Sequence, residues 1–199
     1  NFKIDIDADG IAVVAFDVPG RSMNTLTGAV IKEISQLVET IRTDDAIKGV
    51  VLTSGKASGF CAGADLADMA GGMLSGGGDL KAAFDAGWAV NGAFRALETC
   101  GKPVAAAING LALGGGLEFT LACHYRVVEN NPKIQLGLPE IKVGLFPGGG
   151  GTQRLTRLIG VQTALMQMAE GKSWRPNDAK GAGVVHEVVE IGQSVEAAK

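Results

Sequence analysis

The chain has 199 residues, which suffices for one sizeable domain with a hydrophobic core or for two small ones at most. Its formal net charge of −3 provides no basic surplus for nucleic acid or an anionic membrane surface, and no apolar run approaches the roughly 18 residues of a membrane-spanning helix. The cysteines, Cys61, Cys100 and Cys123, are odd in number and lack a CxxC spacing, so we expect free thiols in a reducing, cytoplasmic setting.

The first half of the chain alternates between strand-like and helical periodicity. The elements predicted there are strands over 2–7 and 11–16 with a hairpin turn at Asp9-Gly10, a helix over 27–42, a strand over 48–53, the start of a short helix at 65–69, and a long helix over 80–97. Between the last two, the glycine-rich stretch 71–78 is expected to be a flexible flap near a ligand.

The middle of the chain carries the most informative stretch. Residues 104–108 form a short apolar run between Pro103 and Asn109-Gly110, as a buried strand does. The glycines at 114–116 then permit a close approach of the backbone, and a helix that begins there presents unpaired N–H groups at the positive end of its dipole. With Glu118 in the first turn, donors for an anion stand beside a carboxylate, which predicts an active site.

The remaining residues continue the interleaving of strands and helices. We predict strands over 125–128 and 133–136 around an Asn-Asn-Pro turn at 130–132, helices over 152–158, 161–169 and 176–182, and a strand over 184–189. Strand pairs precede helices several times, which favours the α/β class over an all-β fold or a helix bundle.

Spacing excludes the familiar glycine motifs. The stretch from Gly49 to Lys56 is one residue too long for a phosphate-binding loop, and Ala57 stands where Ser or Thr would bind magnesium. Neither 114–116 nor 148–151 completes a dinucleotide fingerprint, and no G-x-S-x-G elbow of a serine hydrolase is present. Taken alone, each glycine cluster is as compatible with close packing or a tight turn as with a functional site.

Glu118 and Glu140 both lie in apolar surroundings. Burial raises the pKa of a carboxylate, whereas helix N–H groups lower it. Two carboxylates in one dry site titrate as a pair, which suits the addition or removal of water. The alternative is a helix-start glutamate and a solvated loop glutamate, and from the residue chemistry alone it is slightly favoured.

The other polar candidates carry less information. His124 and His186 are predicted to be surface or packing residues, and no spacing of His, Cys and carboxylates predicts a metal site. Arg154, Arg157 and Lys180 either form a solvated face or contact an acidic ligand, and the sequence leaves both open.

Several motifs make the chain resemble the crotonase, or enoyl-CoA hydratase/isomerase, family over its whole length, 1–199. They are SGFCAGADL at 58–66, AINGLALGGGLE at 107–118 and GLPEIKVGLFPGGGGTQRL at 137–155. The stretches PGRSMNTL at 19–26 and ACHYR at 122–126 are most similar to the hydratase part of multifunctional fatty-acid oxidation enzymes, in which a 3-hydroxyacyl-CoA dehydrogenase region follows.

The resemblance implies a spiral of repeated ββα units and a site built for a CoA thioester. Backbone N–H groups of Ala64 and Gly115 would form the oxyanion hole for the thioester carbonyl. Glu118 and Glu140 would hold the water: Glu118 would help to activate it for attack on Cβ, and Glu140 would donate the proton to Cα. Further positions match those that line the CoA adenine and pantetheine path, or in the last case the reacting water: Arg21, Ser22, Met23, Ala62, Asp65, Leu66 and Gly148.

The implied activity is hydration of a trans-2-enoyl-CoA to a 3-hydroxyacyl-CoA in fatty-acid β-oxidation. It needs no metal or redox cofactor, and NAD enters only if a dehydrogenase region follows. The presence of both glutamates favours a hydratase, because simple isomerases keep one of them. The alternatives are an enoyl-CoA delta-isomerase and, in a different class, a non-catalytic acyl-CoA-binding module. Partners implied by the resemblance are a trimer-based homo-oligomer or a thiolase complex.

Two departures from the family pattern qualify these expectations. The interval from Glu118 to Glu140 is two residues longer than in short hydratases, which places an insertion near 130–132. The chain also stops at Lys199, whereas family members continue through helices that cover the acyl site and build trimers. We therefore expect the C-terminal helices to be missing and the chain to be an amino-terminal piece of a longer enzyme.

Overall fold

The computed structural model describes residues 1–57, 59–75 and 79–199, with 72–75 described by their backbone alone. The strands are β1 (Phe2–Ile6), β2 (Ile11–Phe16), β3 (Gly49–Ser54), β4 (Val104–Ile108), β5 (Ala112–Leu113), β6 (Tyr125–Glu129), β7 (Leu136–Gly137), β8 (Ser173–Trp174) and β9 (Glu187–Val189). The helices are α1 (Gly28–Thr43), α2 (Leu66–Ser75), α3 (Leu80–Glu98), α4 (Gly115–Leu121), α5 (Gly151–Ile159), α6 (Val161–Glu170), α7 (Pro176–Gly181) and α8 (Ser194–Ala198), and a 3-10 turn covers Glu140–Val143.

The strands form two sheets. The larger has the order β1-β2-β3-β4-β6-β9 and is parallel except for the β1–β2 hairpin. The smaller has the order β5-β7-β8. The chain passes twice from the large sheet to the small one, from β4 to β5 and from β6 to β7, and a helix follows β5 directly. The α/β class predicted from the interleaved periodicities is confirmed.

The central strands are buried on both faces, which explains why their sequences are apolar runs rather than alternating patterns. Every residue of β3 and of β4 is buried. Helix α1 buries one apolar face and is capped by Thr27, whose hydroxyl accepts a hydrogen bond from the N–H of Val30 at 3.3 Å. Near α4, the ring of Phe119 stacks on that of Phe94 with centroids 5.3 Å apart and meets Phe16 edge-on. This core fixes the position of α4.

Three predicted elements differ from the structure. The strand expected over 133–136 is β7, which begins only at Leu136, because the turn before it is closed by the Asn131 side chain accepting from the N–H of Lys133. The strand expected over 184–189 begins at Glu187. The flap expected over 71–78 is helical up to Ser75, since Asp65 caps α2 and glycine weakens a helix without forbidding it. Residues 76–78 of that stretch lie outside the described residues.

Candidate active site

The glycine run before α4 brings two loops into contact. Gly114 has φ of 54°, and its N–H donates to the carbonyl of Gly137 at 2.9 Å. A Cβ on Gly116 would overlap the carbonyl oxygen of Cys61 and would lie 2.9 Å from its carbon. Part of this cluster is therefore explained by close packing. What approaches the backbone at Gly116 is the loop that contains Ala64.

The N–H groups of Ala64 and Gly115 line one gap between these loops. A methyl group on Gly115 would lie 3.6 Å from the Ala64 nitrogen, and one on Gly63 would lie 3.3 Å from the Gly115 nitrogen. The N–H of Leu26 holds the first loop by donating to the Gly63 carbonyl at 2.8 Å. Within the described ranges, neither the Ala64 nor the Gly115 N–H donates to a protein acceptor. The structure thus brings the two expected oxyanion donors together.

Glu118 lies in the first turn of α4 and is only 3% exposed. Its Oε1 accepts two backbone hydrogen bonds, from Gly149 at 2.8 Å and from Gly151 at 2.7 Å. A Cβ on either glycine would lie 2.8 Å from a Glu118 carboxylate oxygen, so the turn at 148–151 fits this carboxylate only because it lacks side chains. Glu118 Oε2 accepts no hydrogen bond from the described residues.

Glu140 begins the 3-10 turn, and its side chain lies against Gly114. Its Oε1 is 3.2 Å from the position that a Gly114 Cβ would take. Its Oε2 is buried and has no hydrogen-bond partner among the described residues. Burial raises the pKa of Glu140 above its usual range. A desolvated, unpartnered carboxylate oxygen is more stable when it carries a proton.

The two carboxylates interact electrostatically. Burial raises the pKa of Glu118 to about 7, and the charge of Glu140 contributes in the same direction. The N–H groups of Gly151 and Gly149, and the cation of Arg154, act against this rise. Both carboxyl groups therefore hold a proton at higher pH than a solvated surface glutamate would, and Glu118 changes its charge near neutral pH.

Three side chains that the sequence did not single out for this role support the turn at 148–151. Arg154 donates from Nη1 to the carbonyl of Gly149 at 3.0 Å and pairs through Nη2 with Glu98 Oε2 at 3.1 Å. Asn91 donates to the carbonyl of Gly148 at 2.6 Å. Arg154 is therefore not the solvated residue considered as one alternative for it, whereas Arg157 is exposed and bonds Gln153.

Asn24 ties together the loops that carry the candidate CoA-binding residues. It is fully buried, and its Oδ1 accepts from the N–H of Val18 at 2.9 Å. Its amide nitrogen donates to three oxygens: Phe16 O at 2.7 Å, Ser54 Oγ at 3.0 Å and Phe60 O at 3.1 Å. The Asn24 carbonyl also accepts from the N–H of Ala62 at 2.9 Å. No periodicity or motif spacing indicated this role.

The residues expected along the CoA path lie in two adjoining segments, 21–23 and 62–66, and, for Gly148, in the turn at 148–151. Arg21 forms an ion pair with Asp65, which also caps α2. Met23 packs over Gly59 at the foot of the second segment. Ser22 is exposed and Leu66 is half exposed, while Ala62 bonds Asn24 as described above. Gly148 lies in the turn that bonds Glu118, and its carbonyl accepts from Asn91.

The cysteines and histidines have structural roles. Burial raises the pKa of the Cys61 and Cys123 thiols to about 12, so neither is a nucleophile at neutral pH. His124 accepts from the N–H of Val104 at 3.0 Å and His186 from that of Arg126 at 3.1 Å. In the part of the chain that is described, no group of three His, Cys, Asp or Glu side chains could hold a metal ion, and no helix is long and apolar enough to cross a membrane.

Comparison with known proteins relates this geometry to one family. A family model described as enoyl-CoA hydratase/isomerase matches residues 7–198. The fatty acid oxidation complex subunit alpha of Shewanella oneidensis is 47% identical over 188 residues, which are 94% of this chain and 26% of that protein. The subunit of the same name from Idiomarina loihiensis is 46% identical with the same coverage. The chain thus spans about a quarter of the length of these curated relatives.

Solved structures agree with the family model. An enoyl-CoA hydratase from Bacillus anthracis has a TM-score of 0.88 at 33% identity, covering 100% of this chain and 73% of that one. DspI of Pseudomonas aeruginosa has a TM-score of 0.86 at 32% identity, covering 99% and 71%. The crotonase fold inferred from the motifs is confirmed, and the chain belongs to the enoyl-CoA hydratase/isomerase family.

Proposed function

We propose that this chain hydrates trans-2-enoyl-CoA to 3-hydroxyacyl-CoA, as the finer form of the enoyl-CoA hydratase/isomerase activity of its family. The observation that carries the proposal is a pair of desolvated carboxylates, buried Glu118 and half-buried Glu140, near the N–H groups of Ala64 and Gly115, which donate to no acceptor among the described residues. Hydration needs a base and an acid at the same moment, and this pair can supply both.

In the proposed reaction, ionised Glu118 takes a proton from water while the water oxygen attacks Cβ. The electrons of the double bond move toward the thioester carbonyl, whose oxygen becomes negative between the N–H groups of Ala64 and Gly115. Donors that are already in place cost no reorganisation when this charge develops. Protonated Glu140 then delivers its proton to Cα. One proton must pass from Glu118 to Glu140 to restore the starting state.

Substrate binding is proposed to use the adjoining segments 21–23 and 62–66. The CoA portion would run past them toward the Ala64 N–H, and the Arg21–Asp65 ion pair would hold the segments together at this entrance. The reaction changes no overall oxidation state, so the proposed chemistry requires no redox cofactor. NAD would belong only to a dehydrogenase region that follows in a longer chain.

The test is hydration of crotonyl-CoA, followed by the loss of enone absorbance, with Glu118→Gln and Glu140→Gln compared with the unmodified chain. Loss of a general acid or base is expected to lower kcat about 10²–10⁴-fold in each variant. Glu39→Gln, at an exposed position of α1, serves as the matched control and should retain full activity. Full activity in either active-site variant would contradict the two-carboxylate mechanism.

Assays of the unmodified chain with two substrates separate the alternative functions. A delta-isomerase moves a proton between two carbons and needs one carboxylate, so it would convert a 3-enoyl-CoA but would not hydrate crotonyl-CoA. A non-catalytic module would bind CoA thioesters in calorimetry and show no turnover of either substrate. Either result would overturn the hydratase proposal.

A further inference from the structure

The orientation of Glu118 depends on a turn whose own residues do not make it rigid. Both hydrogen bonds to Glu118 Oε1 come from backbone groups of the turn at 148–151, which consists of four glycines. Glycine has the widest conformational freedom of any residue, so this turn gains no rigidity from its own side chains. Its geometry must be imposed from outside.

Arg154 makes the contact that acts most directly on this turn. Gly149 donates its N–H to Glu118 at 2.8 Å and accepts from Arg154 Nη1 through its carbonyl at 3.0 Å. It is therefore bonded on both sides, to the reacting carboxylate and to the guanidinium. At Gly150, φ is 94° and a Cβ would overlap Arg154 Nη1, so a side chain there would strain the backbone and displace the guanidinium.

The position of Arg154 has no explanation in helix stability. It lies in the first turn of α5, where the helix dipole disfavours a cation. Its side chain is only 14% exposed, and its Nε is buried without a partner in the described structure. Burying a charge and leaving one of its donors unpaired costs stability, which Glu98 offsets only in part through a bond of 3.1 Å. Such local violations occur at functional sites.

We propose that Arg154, anchored by Glu98, is a positioning residue that sets the orientation of the Gly149 peptide and, through it, that of the Glu118 carboxylate. This rests on the hydratase function proposed above. The pair keeps Oε1 of Glu118 on the two N–H groups and leaves Oε2 for the reacting water. Among the described residues, Arg154 is the cation that lowers the pKa of Glu118, in the same direction as the N–H groups of Gly149 and Gly151 and against the charge of Glu140.

Arg95, which shares the Glu98 carboxylate with Arg154, provides a matched control for this proposal. Two arginines bond the same oxygen, Glu98 Oε2: Arg154 at 3.1 Å and Arg95 at 2.8 Å. Arg95 is 67% exposed and makes no bond to the turn in the described part of the chain. Arg95→Gln therefore removes a guanidinium from the same carboxylate without touching Gly149.

The experiment compares Arg154→Gln, Arg154→Lys, Glu98→Gln and Arg95→Gln in crotonyl-CoA hydration over a range of pH. For Arg154→Gln we expect kcat to fall about 10–100-fold, as a misplaced catalytic group does, while KM stays within about two-fold because the CoA segments are unchanged. The acidic limb of the pH profile should move to higher pH, since the cation that favours ionised Glu118 is gone. Arg154→Lys should recover part of the rate, and Arg95→Gln should match the unmodified chain.

A second readout does not depend on turnover. The carboxyl carbon of Glu118, followed by ¹³C NMR titration, should show a higher pKa in Arg154→Gln and no change in Arg95→Gln. Equal titration in both variants would overturn the proposal even if the chain is an active hydratase. A shift confined to Arg154→Gln would support it even if hydration of crotonyl-CoA is absent, so the two proposals fail separately. If Arg154→Gln does not fold, Glu98→Gln decides: unchanged kcat and pH profile would overturn the proposal.

Discussion

Replacing Glu118 with glutamine keeps the size of the side chain and the oxygen that contacts Gly149 and Gly151, and it removes the ionisable group. In the folded chain, burial raises the pKa of Glu118 from 4.5 to about 7. A carboxylate with a raised folded pKa makes folding less favourable once it ionises, because the unfolded chain ionises more easily. Glu118→Gln should therefore stabilise the fold at neutral and alkaline pH.

The size of this effect follows from the two pKa values. Below pH 4.5 both states hold the proton, and Glu118 imposes no ionisation cost. Between pH 4.5 and 7 the unfolded state loses the proton first, and stability falls by about 1.4 kcal/mol for each pH unit. Above pH 7 the cost is constant at about 3 kcal/mol. The side chain is 3% exposed, so solvent screening reduces this value little.

The assay is urea unfolding of the unmodified chain and of Glu118→Gln from pH 5 to pH 8.5. The difference in free energy of unfolding should grow in favour of the variant up to about pH 7 and then level off. Glu39→Gln, which removes an exposed carboxylate from α1, reports the effect of one surface charge. A constant difference across this range would show that Glu118 is ionised with an ordinary pKa, and the reasoning from its burial would be wrong.

Two further predictions concern the loops around the site. Gly116→Ala should cost at least about 3 kcal/mol in urea unfolding, because its Cβ would overlap the Cys61 carbonyl oxygen, whereas Gly87→Ala, in open space on α3, should stabilise by about 0.5–1 kcal/mol; equal effects would contradict the packing argument. Asn24→Ala should cost about 2–4 kcal/mol because it leaves buried partners such as the Val18 N–H unsatisfied, and a loss under 1 kcal/mol would mean that water replaces the amide.

The fold could be predicted from the sequence where burial imposes a periodicity. Strand β4 and the first four residues of β3 form apolar runs because both faces are covered, and α1 shows its buried face at helical spacing. The strands β5 and β8 have two residues each, which is too short to show any period, and neither was predicted. Their existence depends on the partner strand β7 rather than on their own residues.

The site was predictable to the extent that it is local in sequence. Glu118 and Gly115 lie three residues apart, so the helix start was enough to associate them. The apolar surroundings of Glu140 allowed it to be paired with Glu118, but only the family resemblance favoured this, because two loops must fold before Glu140 meets Gly114. Arg154 and Gly149 are five residues apart in the sequence. The bond between them depends on the position of the guanidinium, which is fixed by Glu98, 56 residues away. A single sequence carries no signal for that pairing.

The two glycine clusters differ in what their N–H groups contact, and this difference separates two functions of the same backbone chemistry. In the turn at 148–151, the N–H groups of Gly149 and Gly151 are bonded to a carboxylate that is permanently present. In the turn before α4, the Gly115 N–H has no acceptor among the described residues. An unpaired donor at a helix start costs stability unless water or a ligand accepts its hydrogen bond. The turn at 148–151 therefore orients the Glu118 carboxylate, whereas the Gly115 N–H is available to a negative charge on a bound substrate. The proposed hydration uses both, since Glu118 must be in position before the enolate oxygen forms at Gly115.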